Sequence, residues 1–222
     1  CMTRVFTSDY RDGKHPYPDP FPVHVLKRVD RPTTLIRDRE VQRVDERDGG
    51  FRRASRGEYG PTLQKEYDRF MEKYPISGAL LSMSRSLAPL VAGEVGRSKA
   101  PLTDDPAAMS RHIKETAYFL RADMVGICRL PPYAVFTHSR WDGKAIELNH
   151  KYAIAVLVDQ DWKTCAASTG SDWISNSMSF VAYSTSAFIS CILADYIRRL
   201  GYPARAHHVM NYQVVLPPIL LW

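Results

Sequence analysis

At 222 residues, 45% hydrophobic and 24% charged, the chain is long enough to bury a core as one domain and has an ordinary globular composition. Its 30 Lys and Arg exceed its 24 Asp and Glu by six, but in the first sixty residues the two signs interleave and no aromatic-spaced basic motif follows, so nucleic acid is not the expected partner. No run of about 18 uncharged apolar residues predicts a membrane span, and Cys1-Met2-Thr3-Arg4 lacks the basic-then-apolar order of a signal peptide.

In chain order, residues 1–60 read as an extended, charged arm or linker. Pro16, Pro18, Pro20 and Pro22 alternate in it, and Asp9 to Arg56 is rich in Pro, Gly, Asp and Arg. Residues 61–222 read as one α/β domain. Leu63, Tyr67, Phe70, Met71 and Tyr74 recur at helical spacing, which predicts a short amphipathic helix from Pro61 stopped by Pro75. Residues 76–100 give no assignable pattern.

Asp105 before Pro106 has the form of an N-cap before a first-turn proline, and Met109, Ile113, Ala117 and Leu120 share a face. A helix from Pro106 to Arg121 is predicted. Ala122 to Leu130 follows as a buried strand ended by Pro131-Pro132, then a polar loop from Tyr133 to Lys151 carries His138, Arg140, Trp141 and His150. A second strand spans Tyr152 to Val158. Met178 to Leu200 is a helix closed by Arg198 and Arg199 at its negative end and Gly201 as its stop, with a third strand expected over Ala204 to Met210. The apolar ending, Val214 to Trp222, would be a liability if exposed, and leads to the expectation of a longer polypeptide incomplete here at its C-terminal side.

Few chemical motifs are present. There is no Gly-x-Gly-x-x-Gly, phosphate-binding loop or Gly-x-Ser-x-Gly elbow, which removes the usual support for nicotinamide, nucleotide and hydrolase chemistry. The cysteines at 1, 128, 165 and 191 are too far apart for a Cys-x-x-Cys pair; Cys128 and Cys191, in apolar runs, read as buried free thiols. Adjacent His207 and His208 would face opposite sides of a strand, and the spacing of His138 and His150 matches no zinc set, so no metal ligands are assigned. Tyr183 stands out because Ser186 and Ser190 share its helical face, leaving room for an approaching group. A phenol there is either a proton donor or a core tyrosine satisfied by one hydrogen bond. The hydroxyls of Thr164, Ser168, Thr169, Ser171, Ser175, Ser177 and Ser179 suit either a polar ligand or helix capping.

The segments Arg121 to Cys128, Tyr152 to Val158, Tyr183 and Ile197 to Ala204 resemble, in order and spacing, the corrinoid domain of the reductive dehalogenases, in particular the oxygen-tolerant catabolic type acting on halogenated phenols. The likeness runs from about Pro75 to Trp222. It implies a nitroreductase-like corrinoid-binding core, a three-layer α/β sandwich with a mixed sheet, holding a base-off cobalamin. Two [4Fe-4S] clusters, and a lysine adjusting the tyrosine, would lie beyond Trp222. By the same likeness Tyr183 is the catalytic proton donor, the substrate is a halogenated aromatic compound, and the electron donor is a ferredoxin, a flavodoxin or a reductase. Corrinoid contacts are expected, by position at element ends, from Ser177, Ser179, Ser184, Asn211, Tyr212 and Gln213. Cytoplasmic location is the default expectation. Two rivals are weighed: an epoxyqueuosine reductase acting on transfer RNA, whose donor would be an aspartate where Tyr183 stands, and a non-catalytic cobalamin-binding protein.

Overall fold

The computed structural model describes residues 35–37, 39–102, 104–216 and 219. Two short helices, α1 (Gly50–Ser55) and α2 (Pro61–Phe70), lead into α3 (Pro75–Leu87) and α4 (Pro106–Phe119). Strands β1 (Met124–Arg129) and β2 (Tyr152–Leu157) follow, then α5 (Trp162–Ala167) and α6 (Trp173–Arg199). The fold is therefore mixed α and β.

Local chemistry explains most boundaries. Asp105 caps α4 by accepting from the backbone N–H of Ala107 at 2.9 Å and Ala108 at 3.2 Å. Asp172 caps α6, accepting from Ile174 and Ser175 at 3.0 and 3.2 Å. Gly201 ends α6 at φ +87, where a Cβ would lie 2.6 Å from the Ser98 carbonyl oxygen, so both the backbone angle and the space demand glycine.

The strands pair antiparallel, Met124 with Leu157 through Arg129 with Tyr152. Val125, Ile127, Ile154 and Val156 pack towards α4 and α6 against Ile113, Ala117, Ile189 and Leu193. On the other face Cys128, Ala153 and Ala155 meet Ala134, Val135, Ile146, Val214 and Ile219. Both faces are covered, which is why these strands read as continuous apolar runs.

Helix α6 organises the rest. Its 27 residues span about 40 Å. One flank carries Ile189 and Leu193 to the sheet and α4; another carries Cys191 and Ala194 to Val91 and Ala206, and Ser177 to Ser77 of α3, Oγ to Oγ 3.0 Å. By length and apolarity α6 could cross a membrane, the one such helix among the described residues; here it is the central packing element.

Several expectations are corrected. Among the described residues the sheet has two antiparallel strands, and the third layer and mixed sheet that the resemblance implies are not formed by these residues alone. Ala204 to Met210 is not a strand: Ala206 N–H bonds the Val91 carbonyl at 2.8 Å and His208 pairs with Asn211 across a tight turn, so its backbone groups go to single contacts rather than to a ladder. Residues 46–55 are not extended but form a 3-10 turn and α1, with Glu46 buried. The alternating prolines of residues 16–22 lie outside the described residues. The first helix stops at Phe70, and Pro75 opens α3, which suits proline at a first turn. Val214 and Ile219 of the apolar ending are buried; 217, 218 and 220–222 lie outside the described residues.

Candidate functional site

On α6 the residues Asn176, Ser179, Tyr183, Ser186 and Ser190 follow at alternating steps of three and four, which places them on one edge of the helix. Tyr183 is 41% exposed, and its ring meets the buried Phe180 edge-on at 5.9 Å; Phe180 in turn contacts Phe70 at 5.7 Å. The aromatic ladder anchors the phenol from below while its hydroxyl meets no hydrogen-bond partner among the described residues. Ser186 and Ser190 donate back to the Tyr183 and Ala187 carbonyls at 3.1 and 3.2 Å, leaving their oxygen lone pairs available. Asn176 is buried and donates to the Phe70 carbonyl, while its Oδ1 has no partner among the described residues.

The expected contact residues divide. Ser179 lies on the Tyr183 edge and is partly exposed. Ser177 and Ser184 sit about a quarter-turn or more away, buried: Ser177 pairs with Ser77, and Ser184 bonds the Phe180 carbonyl at 2.8 Å. Asn211, Tyr212 and Gln213 are in a different place altogether.

Two of those three, Asn211 and Gln213, belong to the wall of a cavity of about 680 Å³ whose lining also includes Arg85 of α3, Ala88 just after it, and Trp141 and Lys144 in the β1–β2 connection. Tyr183 does not line it. Asn211 is held from both sides: its Oδ1 accepts from Arg205 at 2.6 Å, and its Nδ2 donates to Ala88 O at 3.3 Å. Gln213 fixes its backbone N–H on His207 Nδ1 at 3.1 Å and has no side-chain partner among the described residues. Burial, reinforced by Arg205, pushes the His207 imidazole down to about 3, so it is neutral and able to accept that bond.

Tyr212 turns towards Arg140. The Arg140 guanidinium lies 4.8 Å from the Tyr212 ring and 4.3 Å from Trp141, and donates to the Tyr212 hydroxyl at 3.1 Å and the Val209 carbonyl at 3.3 Å. Glu46, 2% exposed at its side chain, faces Arg140 at 3.0 Å and also accepts the Arg140 backbone N–H at 3.0 Å. The charges touch, although Arg140 Nε is not aligned as a hydrogen-bond donor. Desolvation pushes the Arg140 guanidinium and the Tyr212 phenol in opposite directions, down and up. Sequence reasoning noted Arg140 and Trp141 but missed Glu46 and Asn176, because a pair 94 positions apart leaves no local signal.

Among the described residues no three His, Cys, Asp or Glu side chains gather as a metal site. Near these two places the side-chain polar groups without a partner among the described residues are the buried Asn176 Oδ1 and the Gln213 amide at the cavity wall.

No protein-family model matches the chain, and a search of curated proteins finds no match. Solved structures do. A lysine-to-glutamine variant of catabolic reductive dehalogenase NpRdhA matches with a TM-score of 0.83 and 35% identity, covering 90% of this chain and 29% of that one. The same enzyme in complex with 3-bromo-4-hydroxybenzoic acid matches with identical values. A reductive dehalogenase structure described with a mechanism for B12-dependent dehalogenation matches at 0.82 and 36% identity, with the same coverage. The chain spans under a third of the length of these relatives.

Proposed function

This chain belongs to the reductive dehalogenase family, and on that premise we propose that it forms part of the corrinoid-binding unit of an enzyme that replaces an aromatic halogen with hydrogen. The single observation that carries the reading is 35% identity with a TM-score of 0.83 across 90% of the chain. The proposed frame is a nitroreductase-like core over 61–222, with the two strands as part of a larger sheet. The cofactor is a base-off cobalamin, with iron–sulfur clusters and an electron donor such as ferredoxin, flavodoxin or a reductase supplying electrons from outside these residues. Halogenated phenols are the proposed substrates, since a relative is seen with 3-bromo-4-hydroxybenzoic acid.

The corrinoid, when bound, supplies the reduced metal centre that cleaves the carbon–halogen bond. This chain's residues do the rest of the local work. The Tyr183 hydroxyl donates its proton to the carbon that loses halide, two electrons enter, halide leaves, and the phenolate regains a proton from solvent. Phe180 and Phe70 fix the ring from beneath. Ser179 would offer a contact on the Tyr183 edge, and Asn211 is the proposed contact to a cofactor side arm. Ser177, Ser184 and Tyr212 would act by holding this frame through the internal bonds they make. An aspartate-type donor, as a transfer-RNA-modifying relative would need, does not occupy position 183.

The test is cobalt content and the visible spectrum of the protein purified after cobalamin supply. Equimolar cobalt with a base-off spectrum supports the reading; protein without cobalt overturns it. Cobalt without halide release from 3-bromo-4-hydroxybenzoic acid would favour the non-catalytic binder.

A further inference from the structure

Trp141 is 59% exposed, yet it is not left free. Its ring stacks at 4.3 Å on a guanidinium that is 7% exposed, and that guanidinium is pinned by a buried carboxylate and by Tyr212. The Trp141 backbone N–H is also fixed, donating to Ser139 Oγ at 3.1 Å. Burying an ion pair costs desolvation that packing alone recovers more cheaply with apolar side chains. Spending it beneath a solvent-facing indole makes sense if the position of that indole matters.

The open side of Trp141 belongs to the cavity. Two cations line it, Arg85 and Lys144, against one lining carboxylate, Asp142, which sits 3.6 Å from Lys144; Arg85 also pairs at 3.2 Å with Glu72. Both pairs are exposed, so an incoming anion can compete for either cation. Gln213 supplies an uncommitted amide. A flat π-surface, two cations held only in exposed pairs, and a neutral donor and acceptor together describe a receptor for a planar aromatic anion.

We propose that this cavity, separate from Tyr183, binds an aromatic carboxylate, with its ring on Trp141, its carboxylate between Arg85 and Lys144, and a ring hydroxyl on Gln213. The inference rests on the dehalogenase reading only for the halogen: ring halogens withdraw electron density and so strengthen offset stacking on the electron-rich indole face. The site would hold substrate or product away from the proton donor.

Titration calorimetry of the cofactor-free full chain with 3-bromo-4-hydroxybenzoic acid and with 4-hydroxybenzoic acid tests it. Saturable binding of both is expected, tighter for the brominated ring. Trp141→Ala should weaken it about tenfold, the loss of one stacked ring, and Lys144→Gln, at an exposed position that leaves the fold alone, a few-fold, with added salt eroding the wild-type affinity. Tyr183→Phe should leave this binding unchanged. Absent binding, or affinities that neither Trp141→Ala nor Lys144→Gln alters, would overturn the site. Loss of halide release in Tyr183→Phe bears instead on the dehalogenase reading, so the two can fail separately.

Discussion

Helix α6 has two exposed edges, and they differ in kind. One carries Ser179, Tyr183, Ser186 and Ser190; the other, roughly opposite, carries Val181, Phe188 and Ile192, which are 42%, 48% and 38% exposed. Between them lie the buried flanks that join the helix to α3 on one side and to α4 and the sheet on the other. An apolar edge can be satisfied by any apolar cover, because hydrophobic contact is non-directional. A polar edge whose phenol stands on an ordered aromatic ladder, with small hydroxyls on either side, constrains what can approach it. The difference teaches that exposure alone does not mark a site; exposed polarity held in a fixed geometry does.

The comparison requires the flanks to carry stability and the edges to be almost free of it. Phe180→Ala, removing a ring that is 1% exposed, should cost about 3–5 kcal/mol in chemical denaturation. It should also free the Tyr183 ring. A loss below about 1 kcal/mol would break the claim that the ladder is part of the core.

Ser177→Ala strands the buried Ser77 hydroxyl and should cost about 1–3 kcal/mol. Restoring Ser77→Ala in the same protein should recover part of it, since both partners are then apolar. An additive double variant would show that the two hydroxyls do not interact.

The Asp172 cap gives a pH signature. Bonds from the backbone N–H groups of Thr169 and Ser175 and the Ser168 and Thr169 hydroxyls hold its carboxyl down at about 2, below its ordinary 3.8. Because the folded value is the lower one, its stabilisation is present in full above that ordinary value and is lost as pH falls through the interval to about 2. Thermal melts across that interval should show a drop that Asp172→Asn flattens; equal slopes in both proteins would contradict it. Smallest of all, Phe188→Gln on the apolar edge should change stability by no more than about 0.5 kcal/mol.

Much of this organisation was legible in the sequence where the signal was local. Asp105-Pro106 announced α4, the two apolar runs announced β1 and β2, and Gly201 marked the end of α6. Helix α3 was not legible because two of its three buried positions, Ser77 and Ser84, are serines that allow close approach to α6 and leave Leu81 alone to carry the hydrophobic contrast. The start of α6 lies five residues before the expected Met178 because its first turn after Asp172, Trp173 to Asn176, sets Trp and Ile beside Ser and Asn with no apolar period. Residues 204–210 looked like a strand but are held by long-range partners, with Ala206 on Val91 and Asn211 on Ala88. At the site, Tyr183 and its serine neighbours followed from helical spacing, whereas the Glu46 to Arg140 contact and the Trp141 stack exist only once distant segments meet.

The most direct test of the central claim, that the polar edge of α6 presents a proton donor, is halide release by Tyr183→Phe after cobalamin reconstitution, compared with the wild-type protein at equal cobalt content. A fall of about 100-fold or more is expected with cobalt and fold retained, because the exposed phenol oxygen has no hydrogen-bond partner among the described residues. Wild-type halide release from that variant would contradict it.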